Sequence, residues 1–93
     1  MDNSTNKRKY PSQLKGNLNC VGFNIREFRL DKKWSRKKLS DQLLFLGVDI
    51  STQAIYDIEI GKRTVLDYEL FGIAKVLGIS VDKLFTNFKP DEA

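Results

Sequence analysis

The chain has no histidine and only one cysteine, Cys20, so the side chains that most often hold zinc or exchange protons near neutral pH are almost missing. One cysteine closes no intrachain disulfide, and a zinc pattern needs several Cys or His at set spacings. No metal and no cofactor is expected, and the compartment reads as reducing and cytoplasmic. There is also no G-x-x-x-x-G-K-S/T loop, no pair of carboxylates spaced for one face, and no nucleophile with a base nearby in sequence. An enzyme is therefore the least supported class, and no small-molecule substrate is indicated. Cys20 reads as a small, buried or half-buried residue rather than a nucleophile. Apolar runs are short as well: none approaches the ~20 residues of a membrane span. The segment MDNSTNKRKYPSQ lacks the apolar stretch of a signal peptide, so neither a membrane nor export is expected.

What is present bounds the fold. With 93 residues and 41% hydrophobic side chains, the chain can bury one core. The net charge of +4 and pI near 9.3 favour a polyanionic partner, because each cation placed at a phosphate releases counterions. Basic surfaces that bind nothing in particular have the same composition, so placement has to decide.

Residues 1–17 are polar, broken by Pro11 and Gly16, and carry the run Lys7, Arg8, Lys9. They read as a flexible basic arm, either a tether for phosphates or a solvated tail. Residues 18–86 form the expected domain, and 87–93 a tail of low apolar content. From about Cys20, the residues Val21, Ile25, Phe28 and Leu30 share a helical face. Trp34 precedes Ser35, an N-cap type, with Leu39 placed as its staple partner. Leu39, Leu43, Leu44 and Leu46 supply the buried side of a second helix, which Gly47 ends. Ser51 caps a third helix over 52–60, with Ile50 and Ile55 as the staple and Gly61 as the stop. Asp67 is the expected cap of a fourth helix whose apolar side is Leu70, Phe71, Ile73, Ala74 and Leu77. Gly72 costs that helix roughly 0.8 to 1 kcal/mol relative to alanine. Gly78 closes it, and Ser80 caps a short fifth helix with Val81, Leu84 and Phe85. The expectation is all-α: a compact bundle of five short helices and no strands.

The stretch from Ser35 to Arg63 carries the functional reading. A helix suits the major groove when it is short, backed by another helix, polar outside, and flanked by groups that hold phosphates. In the third helix Ile55 and Ile58 point inward, leaving Thr52, Gln53, Tyr56 and Asp57 on the outer side. The Gln53 amide can contact adenine N6 and N7 together, and Thr52 can meet a phosphate or a thymine methyl. Tyr56 can stack on the sugar-phosphate backbone or cover the helix pair. Asp57 can accept from cytosine N4, or turn away and pair with a cation such as Lys62. Ser35, Arg36, Lys37 and Lys38 cluster where free helix N–H groups already favour an anion, and Lys62 and Arg63 follow Gly61. Either cluster alone is better explained as a solvated face; two clusters bracketing one short polar helix favour double-stranded DNA as partner. Glu59, beside Ile58 on a tightly packed helix, has to be exposed or paired, with Arg29 as an available partner.

Three segments, GFNIREFRLDKKWSRKKLS, STQAIYDIEIGKR and DYELFGIAKVLGISVDKLF, together resemble the Xre/lambda-repressor-like helix-turn-helix domains of bacteria and phages, over about Gly22 to Phe85. The resemblance implies a compact five-helix bundle whose third helix enters the major groove, as a homodimer on paired half-sites. It places base reading on Thr52, Gln53 and Asp57, and phosphate contacts on Ser35, Arg36, Lys62 and Arg63. It places a structural ion pair on Arg29 and Glu59. The sequence departs from the shorter members in LLFLGVDIS, where extra length implies a longer second helix and a wider turn, and at Asp57, where the family often has a donor. The implied function is a sequence-specific transcriptional regulator, expected to act as a repressor. The alternative is an interaction module, such as an antitoxin or accessory regulator, motivated by Tyr56, Asp57, Phe85 and Phe88. The end from Phe85 to Phe88 is the expected dimer surface.

Overall fold

Serine caps and glycine stops divide the chain into its elements. The structure, a computed structural model, describes residues 16–88. The arm through residue 15 and the tail from residue 89 lie outside the described residues. The elements are α1 (Gly22–Asp31), α2 (Arg36–Phe45), α3 (Thr52–Glu59), α4 (Asp67–Leu77) and a 3-10 helix (Val81–Phe85). Among the described residues there is no strand, and no helix is long and apolar enough to cross a membrane.

Ser35 Oγ accepts from the Lys38 N–H at 3.0 Å, and Ser51 Oγ accepts from the Ala54 N–H at 3.1 Å. Each satisfies one of the donors that the first turn leaves unpaired. Ser51→Ala is expected to lower unfolding free energy by about 1 kcal/mol in a urea titration followed by circular dichroism. An unchanged midpoint would remove the cap from the stabilising set. Gly47 at φ +93° and Gly61 at φ +81° adopt the left-handed conformation that turns the chain after α2 and α3. Ser40 Oγ donates to the Ile50 carbonyl at 2.6 Å, which pins the 46–51 connection back onto α2.

The core is made by Ile25 of α1, Leu39 and Leu43 of α2, Ile55 and Ile58 of α3, Ile73 of α4 and Leu84 of the 3-10 helix. α3 packs on α1 and α2, α4 packs on α2, and the 3-10 helix bridges α4 and α1. One side of α3 therefore stays open.

Several expectations are corrected. Among the described residues the bundle has four α-helices, and the expected fifth is a 3-10 turn. Ser80 makes no side-chain cap there, and its carbonyl instead accepts an i to i+3 bond from the Lys83 N–H at 3.1 Å. A five-residue segment anchored by one buried leucine gains too few i to i+4 bonds to offset the cost of helix nucleation. The cap of α4 is Leu66, with Asp67 as the first helical residue. Glu69 reaches back to accept from the Leu66 N–H at 3.0 Å, so the helix starts one residue earlier than its acidic residue suggests. Leu44 and Phe71 are each 60% exposed rather than buried. Leu39 and Leu43 stand one turn apart on the core face, and Leu44 lies about 100° further round. Leu46, at 41% exposure, is only partly covered. The segment LLFLGVDIS divides between the last turn of α2 and the connection 46–51.

Candidate nucleic-acid interface

The position of α3 is fixed by polar contacts that the hydrophobic pattern does not contain. Asn19 Oδ1 accepts from the N–H groups of Val21 and Gly22 at 2.9 and 2.7 Å, capping α1. Its Nδ2 donates to the carbonyls of Ile58 at 3.0 Å and Arg63 at 2.8 Å, tying the start of α1 to the end of α3. The Leu18 N–H adds a bond to the Gly61 carbonyl at 2.8 Å. α1 lies so close to α3 that Gly22 faces the Ile58 carbonyl directly.

The structure brings Arg29 and Glu59 together, and Arg36 with them. Arg29 Nε donates to Glu59 Oε2 at 2.7 Å and Nη2 to Oε1 at 3.1 Å, with Nη1 on the Trp34 carbonyl at 2.8 Å. Arg36 Nε donates to the same Oε1 at 2.9 Å. The Glu59 side chain is fully buried, that of Arg29 nearly so, and that of Arg36 remains one-third exposed. Two guanidinium groups on one carboxylate leave a residual positive charge, and the solvent-facing side of it is Arg36. Its guanidinium also lies 5.0 Å over the Tyr56 ring, at a distance suited to a cation–π contact. Sequence reasoning gave Arg36 to phosphate alone; in the structure it also joins α2 to α3.

On the open side of α3, Thr52 and Gln53 are exposed, Tyr56 is 41% exposed, and Asp57 is half-buried. Gln53 Nε2 donates to Asp57 Oδ1 at 3.1 Å, one helical turn away. Within the domain the side-chain partner of Asp57 is thus Gln53, and Lys62, one of the alternatives open to Asp57, meets it only through its backbone N–H, which closes the helix on the Asp57 carbonyl at 2.8 Å. Ser35, Lys37 and Lys38 are exposed at the α2 start, and Lys62 is exposed at the α3 exit. Lys37 shares an exposed i, i+4 contact with Asp41 at 3.0 Å, a pair worth little in water. Trp34 is half-buried beneath Lys32 and Lys38, whose ammonium groups lie 5.0 and 5.9 Å from its ring centre.

Arg63, expected at a phosphate contact, is also engaged within the fold. Its Nη1 and Nη2 form a fork on Glu69 Oε1 and Oε2 at 2.9 and 3.0 Å, and Nη1 also donates to the Thr64 carbonyl at 2.9 Å. Glu69 comes within reach because α4 starts at Asp67 and turns its third residue back over the connection. The Arg63 hydrogen bonds hold the Glu69 carboxyl below its ordinary range, and the carboxylate raises Arg63 in turn. A carboxyl with a depressed native pKa stabilises the fold fully above its unfolded value. That contribution is lost as pH falls below roughly 4.3 toward the native value. Acid unfolding curves of the wild type and Arg63→Gln should therefore converge at low pH and separate above it. Curves that stay parallel would contradict the coupling.

Cys20 is half-buried, and burial pushes its thiol up, away from the reactive thiolate. Among the described residues, no group of three or more His, Cys, Asp or Glu is placed to hold a metal.

A family model described as helix-turn-helix, HTH_3, matches residues 25–84. The chain belongs to the HTH_3 helix-turn-helix family. This is the Xre/lambda-repressor-like class, a family of DNA-binding domains. The matched span runs from Ile25 of α1 to Leu84 of the 3-10 helix and includes every core element. No curated protein and no solved structure matched the chain.

For the HTH_3 domain, Asn19 and Glu69 are the positioning residues that sequence reasoning missed. A signal existed for each: an Asn just ahead of an apolar-periodic segment, and a Glu three residues after a helix boundary.

Proposed function

We propose that the protein is a sequence-specific, double-stranded DNA-binding transcriptional regulator, acting as a cytoplasmic repressor that inserts α3 into the major groove. The observation that carries this is the division of α3 into two sides. Ile55, Ile58 and Glu59 are buried, while Thr52, Gln53 and Tyr56 stand on the open side, flanked by Lys37 and Lys38 at one end of α2 and Lys62 at the α3 exit. In this reading Ser35, Arg36, Lys37 and Lys62 hold phosphates, and Thr52, Gln53, Tyr56 and Asp57 face the bases. The charge of Arg63, forked on Glu69, is offset by that carboxylate, so Arg63 contributes less to phosphate binding than Lys62. The domain acts as a homodimer on half-sites about 34 Å apart, one turn of duplex.

Mobility shift with random duplex at low salt, followed by selection of bound sites, tests the reading. Lys62→Ala is expected to weaken binding to all sequences alike and to reduce the slope of log K against log salt by about 0.9. A slope equal to that of the wild type would remove Lys62 from the phosphate contacts.

A second reading, a protein-interaction module, is favoured by one observation. Phe45 is 85% exposed, and Leu44, Tyr68 and Phe71 are each more than half exposed, all on α2 and α4 rather than on α3. Failure to bind even random duplex at low salt would favour that reading.

A further inference from the structure

Asp57 is the residue that fits least comfortably on a DNA-facing helix, since a carboxylate repels phosphate. Its one side-chain hydrogen bond among the described residues is from Gln53 Nε2, at 3.1 Å. We propose that Asp57 is a positioning residue: it fixes the Gln53 carboxamide in the orientation that reads adenine and excludes guanine. This rests on the DNA-binding reading above.

The chemistry of the pair sets the direction. An ionised carboxylate only accepts hydrogen bonds, so the amide end of Gln53 has to face Asp57, and the flipped amide would set oxygen against oxygen. A carboxamide has one N–H on the same side as its carbonyl oxygen and one on the opposite side. Bidentate contact with adenine uses the oxygen, accepting from N6, and the same-side N–H, donating to N7. The opposite-side N–H is the one left for Asp57, so both interactions coexist. Guanine presents two acceptors, O6 and N7. To serve them Gln53 has to turn its amide outward, which breaks the bond to Asp57 and leaves its own oxygen against the carboxylate.

The spacing supports the same assignment. Residues 53 and 57 are one turn apart on a helix that both Ser51 and Glu59 lock in place, so the pair forms without backbone adjustment. Asp57 is half-buried and Gln53 exposed beyond it, so the pair faces outward, on the side offered to the duplex. The cost of the arrangement is a negative charge near the duplex, which lowers affinity for every sequence while sharpening choice at one base pair.

The test uses the full chain. Sites are selected from a random duplex pool with wild type and with Gln53→Ala, which identifies the base pair that Gln53 reads. Wild type, Asp57→Ala and Asp57→Asn are then titrated with the selected duplex, its A-to-G variant at that pair, and random duplex. Wild type is expected to prefer adenine over guanine by about tenfold. Both Asp57 variants should lose most of that preference, read as the ratio of adenine to guanine affinity, and keep the wild-type melting temperature. A merely structural role for Asp57 predicts instead a lower melting temperature and weaker binding to all three duplexes. The proposal is overturned if the variants keep the adenine preference, if they weaken all duplexes equally, or if the pair relaxed by Gln53→Ala is not adenine-specific. Absence of wild-type binding to random duplex at low salt would overturn the DNA-binding reading, and this proposal with it.

Discussion

Glu59→Ala is expected to lower unfolding free energy by about 3–5 kcal/mol, a large share of the ~5–15 kcal/mol typical of a small domain. The Glu59 carboxylate has no exposed side-chain surface and accepts three charged hydrogen bonds, two from Arg29 and one from Arg36. Deleting it strands the Arg29 guanidinium, whose side chain is only 5% exposed, with a single carbonyl contact to Trp34. An uncompensated buried cation costs far more than the pair contributes beyond a hydrophobic substitute. The double variant Glu59→Leu with Arg29→Met should therefore recover much of the loss, because no charge remains buried. Urea denaturation followed by circular dichroism reads both effects. A loss below about 1 kcal/mol in the single variant would mean that Arg29 finds water, contrary to its burial.

Gly22→Ala should be the most damaging addition of a single methyl group, at about 3 kcal/mol, the upper end for overpacking. A Cβ at this position would overlap the Ile58 carbonyl oxygen, with the Ile58 carbonyl carbon at 3.0 Å and Glu59 Cα at 3.1 Å. All of these are backbone atoms of α3, so relief requires moving the helix that carries the proposed reading face. Such a shift would also stretch the two Asn19 bonds to the Ile58 and Arg63 carbonyls. Gly72→Ala is the control. Its nearest obstacles are the side-chain methyls Val48 Cγ2 at 2.9 Å, Leu43 Cδ2 at 3.5 Å and Leu46 Cδ2 at 3.6 Å. There the gain in helix propensity, about 0.8–1 kcal/mol, opposes the cost of displacing the stiff, buried Val48 side chain, and the net loss should stay under about 2 kcal/mol, below that at Gly22. Equal losses at the two glycines would show that α1 and α3 separate more freely than their packing implies.

The contrast between these glycines shows where sequence reasoning was strong and where it stopped. Local signals worked because they act over three or four residues: Ser35 and Ser51 as caps, Gly47 and Gly61 as stops, Ile55 and Ile58 as one inward face. Gly22 carries no local sign of its role, because what it must avoid lies 36 residues later in the chain, at Ile58. Asn19 acts across 39 and 44 residues for the same reason. Leu44 and Phe71 read as inside because each sits in an apolar run, at the end of α2 and in the middle of α4, that satisfies more than one face; only the packed neighbours decide between them. The candidate site divided in the same way. The exposed positions Thr52, Gln53 and Lys62 follow from helical phase, whereas the engagement of Arg36 with Glu59 and of Arg63 with Glu69 depends on how connections fold back.

The open side of α3, with the start of α2, is the proposed DNA-facing surface. Backbone amide NMR of the full chain, titrated with a short random duplex at low salt, tests it residue by residue. The largest shifts are expected at Arg36 and Lys37, at Thr52, Gln53 and Tyr56, and at Lys62, with Phe45, Phe71 and Phe85 little changed. Shifts centred on α4 and the end of α2, with α3 silent, would contradict it.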